Sequence, residues 1–174
     1  MDEMRARELK RRLDELYRHY DERLLDPDPL ELVRKQGTSA DREIVGLVAS
    51  GLAFGGVAQI KRSIVAVLEV LGPRPADAVE STGPAELRRR LRGFRHRWLD
   101  GRDVACLLVF ARQMRASHGS IEAFFAEGLG ANDSDVGPAL ASFSRRALTL
   151  DHHGLYRGRR LPARAGVRYL SLIH

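Results

Sequence analysis

A chain of 174 residues with 44% hydrophobic and 30% charged residues has the length and balance of one domain that closes its own hydrophobic core. Those figures exclude collagen-like, disordered and multi-span membrane architectures. The single cysteine, Cys106, excludes an internal disulfide framework and a thiolate metal centre, which fits a cytoplasmic protein. Of the 29 basic residues, 26 are arginine, the skew that a GC-rich coding sequence produces, so the formal charge of +6 says less than its distribution. Residues 1–83 hold 13 bases and 15 acids, whereas residues 84–174 hold 16 bases and 8 acids. The positive field belongs to the second half, where it can attract phosphate backbones or an acidic partner.

In chain order the pattern is helical. Residues 1–12 alternate acids and bases instead of leading into an apolar run, so no secretory signal is expected there. Leu9, Leu13, Leu16, Tyr17, Tyr20 and Leu24 fall on one stripe of a helix over 5–24, and Asp26-Pro27-Asp28-Pro29 ends it. After a short segment at 30–34, Gly37-Thr38-Ser39 supplies turn and cap for a helix over 40–54, with Asp41 and Glu43 in the first turn, where the macrodipole favours anions. Gly55-Gly56 breaks it. A third helix carries Val57, Ile60, Ile64, Val67, Leu68 and Leu71 to Gly72-Pro73, and these two helices are the expected core.

Residues 44–60 form an uncharged run at the lower length limit for a membrane span, but four glycines and Gln59 interrupt it and no aromatic belt flanks it. It reads as a buried helix pair, with Gly46, Ala49, Ser50, Ala53 and Gly55 allowing another helix to approach.

Pro84 opens a fourth predicted helix with Leu87, Leu91, Phe94 and Trp98 at i, i+4, i+7 and i+11. A fifth, with Val104, Leu107, Leu108 and Ala111, follows Asp100-Gly101 and closes near Gly119. Ser120 caps a short helix containing Ile121, Phe124 and Phe125, and Ser134 caps the last, over 135–149, with Val136, Leu140, Phe143 and Ala147 inward. No alternation long enough for a sheet occurs. The expected class is all-α, a multi-helix bundle with one helical domain over 1–149 and an irregular basic segment over 150–169.

Few residues carry chemistry. Arg88, Arg89, Arg90, Arg92, Arg95 and Arg97 form the densest basic cluster, and on a helical wheel they flank the Leu87–Trp98 stripe as a solvated face. Arg88, Arg92 and Arg95 share one flank, where three guanidiniums can straddle nucleic-acid phosphates; Arg157, Arg159, Arg160, Arg164 and Arg168 make a second tract. His96 is expected at a core edge. The adjacent His152 and His153 have no ligand at metal spacing beside them, and a helix junction separates His118 from Glu122. Asp41 and Glu43 invite a reading as an acid–base pair for a hydrolase, against the ordinary one of helix-start anions. No GxxxxGK, GxSxG, HExxH or paired CxxC motif occurs, so no cofactor, metal or catalytic residue is assigned.

Taken together, several segments resemble, in order, the bacterial family called domain of unknown function 2400. They are Leu16-Tyr17 with Tyr20, Asp26-Pro27 to Val33, Asp41-Arg42-Glu43 running into Ile44-Val45-Gly46-Leu47, Phe54-Gly55 with Gln59-Ile60, Phe94 with His96-Arg97, and Gly119-Ser120-Ile121-Glu122. That family looks like a distant relative of the helix-hairpin-helix DNA glycosylases, and the resemblance implies their helical lobe first and DNA contact second. The family's later Gly-Ser-x-Cys-Lys-Arg and Pro-Leu-Asp-x-His segments have no counterpart here. The chain stops instead at Leu170-Ser171-Leu172-Ile173-His174, which matches one reading frame of a transposon end used in preparing sequencing libraries. The expectation is therefore an N-terminal fragment of a glycosylase-like protein without its own catalytic apparatus, prone to self-association through uncovered apolar faces. The alternative is a helical protein-interaction module whose basic half docks an acidic partner.

Overall fold

The computed structural model of the protein describes residues 3–19 and 28–155. Nine helices lie among them: α1 (Glu3–His19), α2 (Leu30–Arg34), α3 (Ser39–Gly51), α4 (Val57–Leu71), α5 (Pro75–Ser81), α6 (Pro84–Arg90), α7 (Gly101–His118), α8 (Ile121–Ala126) and α9 (Gly137–Ala147). One two-residue hairpin, β1 (Arg95–His96) with β2 (Leu99–Asp100), is set between α6 and α7. The class is all-α.

The centre is α7. Its residues from Asp103 to Val109 are all buried, followed by Ala111 and Met114, so neighbours surround the helix instead of covering one stripe. Its ends are sharply set. Asp100 and Asp103 exchange a capping box, and Gly119 closes the other end at φ +78°. Against α7 pack α3, α5, α6 and α8. The small residues of α3 do what their spacing suggests: a Cβ on Gly51 would come within 2.9 Å of Leu107 Cδ2, and one on Gly46 within 3.8 Å of Val33 Cγ1. Helix α4 adds Ile60, Ile64, Val67 and Leu71 to the same core, each worth about 1.5–3 kcal/mol on burial.

Two expectations need correction, and one helix lies where none was expected. The fourth helix stops at Arg90, and Gly101 packs so closely against Leu91 that a Cβ there would lie 1.8 Å from the Leu91 carbonyl oxygen. The chain has to turn back between these points, and it does so through the hairpin, so Trp98 is not on an inward stripe but 59% exposed. The stretch between Gly72 and Gly83 is a helix, α5, begun by Pro75. The last helix begins at Gly137 with Val136 at its cap and no side-chain cap bond; Val136 is exposed, while Ala139, Phe143 and Ala147 are buried.

Helix α1 differs from the rest. Its residues from Met4 to His19 are all exposed, Leu9, Leu13 and Leu16 included, and its polar face is laced by i,i+3 and i,i+4 pairs such as Arg11 with Glu8 and Glu15. Past α9, residues 150–155 are not helical, yet Asp151 exchanges two hydrogen bonds with the Gln113 amide and Leu155 is buried. Among the described residues no helix is long and apolar enough to cross a membrane.

Candidate functional site

The hairpin organises the most distinctive side chains. Its register pairs Arg95 with Asp100 and His96 with Leu99, leaving Arg97 and Trp98 as a two-residue turn. Arg97 takes φ +53°, a left-handed conformation that glycine and asparagine adopt more readily. His96, expected at a core edge, is completely buried. Its Nε2 lies 3.1 Å from the Phe54 carbonyl oxygen and its Nδ1 2.8 Å from Ser63 Oγ. A carbonyl only accepts, so Nε2 donates to it and Nδ1 is left to accept the Ser63 hydroxyl proton. Ser63 interrupts the apolar face of α4 between Ile60 and Ile64, and that interruption was the sequence signal for a buried polar partner.

Above this bond the aromatic rings stack. Phe54 meets His96 edge-on at 4.7 Å and lies nearly parallel to Trp98 at 4.4 Å and 15°. The Arg97 guanidinium is 5.6 Å from the Trp98 ring centre. Gly55, at φ +113°, lets the backbone turn beside Arg97, whose Cδ and Nη1 lie 3.5 Å from where a Cβ would stand; Gln59 Oε1 is 3.9 Å from the same point. Phe54, Gly55, Gln59, His96 and Arg97, some forty positions apart in sequence, thus come together.

Where the hairpin meets α6 and the start of α7 is a hollow of about 430 Å³ lined by Arg88, Arg89, Arg92, Phe94, Arg95, Asp100 and Arg102. The three arginines singled out from the sequence do share it, though not as one flank of a helix: Arg88 is on α6, Arg92 follows it and Arg95 is on β1. Acids near the hollow are committed elsewhere. Glu86 takes Arg89 and Arg90, each at 2.8 Å, and Arg90 foremost, with Arg89, holds its carboxyl below the usual range. Asp100 accepts from the Arg102 backbone N–H at 2.9 Å in the cap of α7. Among the described residues Arg88, Arg92 and Arg95 form no ion pair. Forked guanidiniums converging on a concave surface can bind an oxyanion at several points.

Asp41 and Glu43 do more than serve their own helix. Asp41 is buried; it exchanges capping bonds with Thr38 and accepts the Ala76 N–H at 2.9 Å, closing the start of α5. Glu43 accepts the N–H groups of Ile121 and Glu122 at 3.1 and 3.0 Å, at the start of α8, and the Arg115 guanidinium at 3.0 Å. Arg115, 14% exposed, also reaches Glu80 at 2.9 Å. Both carboxylates serve as caps between helices, fixing α5 and α8 against α3. Sequence reasoning found these acids but not their partners, since nothing in local spacing pairs position 43 with 115 or 121.

The remaining candidates are quickly placed. Arg42 donates to the Gln36 carbonyl at 3.0 Å. His118 pairs with Glu127 at 2.8 Å rather than with Glu122, His153 with Asp151 at 3.3 Å, and Cys106 is buried in α7. Tyr17 is exposed on α1. Tyr20, Asp26 and Pro27, the second arginine tract and the terminal segment 170–174 lie outside the described residues. A groove of about 400 Å³ between α3, α8 and α9 is apolar, lined by Leu47, Ile121, Phe125, Leu140 and Phe143.

No curated protein and no solved structure matches the chain. A family model does, over residues 28–164, a span that takes in α2 to α9, both helix-start carboxylates and the whole hairpin. The chain belongs to the family described as "Protein of unknown function (DUF2400)".

Proposed function

We propose that this helical domain binds nucleic acid through the arginine hollow, as the DNA-contacting, non-catalytic part of a cytoplasmic protein distantly similar to helix-hairpin-helix DNA glycosylases. One observation carries the reading: Arg88, Arg92 and Arg95, delivered by different segments, line one concavity whose neighbouring acids are already committed. Guanidiniums without carboxylates hold their phosphate-binding capacity in reserve, and phosphate contact supplies most of the affinity of sequence-independent binding.

The test is affinity for a labelled duplex measured against salt. Binding weakens steeply with added salt, and replacing Arg88, Arg92 and Arg95 together by alanine lowers the slope of log K against log salt by about three. A slope near zero, or one unchanged in the triple variant, overturns the reading. A second reading, a helical protein-interaction module, is favoured by the apolar groove between α3, α8 and α9, with contact there apolar instead of through the basic half expected to dock an acidic partner. It predicts binding that survives high salt and is lost when Phe125 or Leu140 is made charged.

A further inference from the structure

The hairpin holds a feature that phosphate binding does not use. Trp98, the single tryptophan of the chain, stands at the hairpin tip with one ring face laid almost parallel on Phe54, and yet is 59% exposed. Burying a large aromatic ring is among the strongest contributions a side chain makes to stability, and this position forgoes much of it. The ring is nevertheless held in place. Phe54 lies beneath it, the Phe54 carbonyl is tied to the buried His96, and His96 is tied to Ser63 on α4. A rigid, half-presented indole next to the Arg97 guanidinium is a platform for another flat ring.

Its surroundings say which ring. Arg95, two pairing positions down the same hairpin, lines the arginine hollow, a separation of about 7 Å at the usual strand rise. A chain carrying both phosphates and flat bases fits that pairing of charge and aromatic surface. Inside a duplex the base faces are covered by stacking, whereas in a single strand they are free.

Resting on the reading of the hollow as a phosphate site, we infer that the preferred ligand is single-stranded nucleic acid, with one base stacked on Trp98 while its backbone lies along Arg88, Arg92 and Arg95. Every base has a π-face, so the contact is tolerant of sequence.

Because Trp98 is the only tryptophan, its fluorescence reports on the contact directly. The ligands are a labelled 12-nucleotide thymidine strand, an abasic strand of equal length and a duplex of equal length; binding is read by anisotropy and stacking by tryptophan quenching. The thymidine strand quenches Trp98 and binds more tightly than the other two, and the abasic strand binds without quenching. Trp98→Ala weakens the thymidine strand by about tenfold to a hundredfold, leaves the abasic strand unchanged and keeps the salt slope. Trp98→Phe, which retains a stacking ring, restores most of the loss, and this separates stacking from a fold defect. Equal binding of thymidine and abasic strands, tighter binding of the duplex, or no quenching overturns the stacking inference while the arginine site stands. If no ligand shows salt-dependent binding, the arginine site falls and the inference with it.

Discussion

At the start of α3 the charged residues turn inward: Asp41 and Glu43 are occupied by backbone N–H groups of α5 and α8. Between α6 and α7 they turn outward, and Arg88, Arg92 and Arg95 face a hollow whose one lining carboxylate, Asp100, caps α7. Helix starts explain the contrast. Each start carries backbone donors with no partner in its own helix, so acids are drawn to them and become structural. Around the hollow the same demand draws Asp100 and Asp103 into the cap of α7, and Arg88, Arg92 and Arg95, unlike Arg89, form no ion pair among the described residues. Acids engaged at helix starts leave these three bases available.

The most severe loss is expected at Gly101. Alanine there would bring a Cβ to 1.8 Å from the Leu91 backbone oxygen, and since neither backbone can yield cheaply, a loss of about 3 kcal/mol or more is expected in a urea melt. The hairpin and the hollow would be lost together. Next comes Glu43→Ala, which strips two N–H groups of α8 and the Arg115 guanidinium of their acceptor. It should cost about 2 kcal/mol and leave phosphate binding as it was. The arginine variants give the opposite result, keeping the melt within about 0.5 kcal/mol while binding falls. A Glu43 variant that lost binding without losing stability would erase the division of labour.

The smallest effect sharpens the comparison through pH. Glu31 on α2 meets Lys35, which caps the end of that helix, and Lys61 on α4, the latter at 2.7 Å, and Lys35 foremost, then Lys61, brings its carboxyl down from 4.5 to about 2. A carboxyl that titrates lower in the folded chain than in the unfolded one stabilises the fold at pH values above its ordinary range. That contribution fades as pH falls from 4.5 toward 2. Side-chain NMR of Glu31 should show the low midpoint, and Glu31→Gln should flatten the stability profile over that interval. A midpoint at the ordinary value would place Glu31 among solvated surface charges.

Much of the helical framework is legible in the residues. Helices α3, α4, α7 and α8 follow from apolar periods closed by Thr38, Gly72, Gly119 and Ser120, because cap and period are local properties. The seven residues of α5 expose too little periodicity to be recognised, and α9 starts where Pro138 allows rather than at Ser134. The hairpin is the instructive failure. Leu91, Phe94 and Trp98 keep helical spacing, and strands of two residues show no alternation to oppose it. Arg88, Arg92 and Arg95 therefore share the hollow without sharing the helix flank that their spacing suggests. His96 looked peripheral among its arginines, although Ser63 had marked a buried polar site on α4.

By itself the sequence determined the helical class, the order and caps of most helices and a basic second half, since each depends on residues within a turn or two of one another, whereas the centre it pointed to, α3 with α4, gives way in the structure to α7. Only the tertiary structure decided which acids close which helices, that Trp98 faces outward, and that Arg88, Arg92 and Arg95 meet across a turn. Those outcomes depend on close approach between distant segments, above all Gly101 beneath Leu91. At such a contact only a residue without a Cβ fits, because a side-chain carbon and a backbone oxygen cannot occupy the same space.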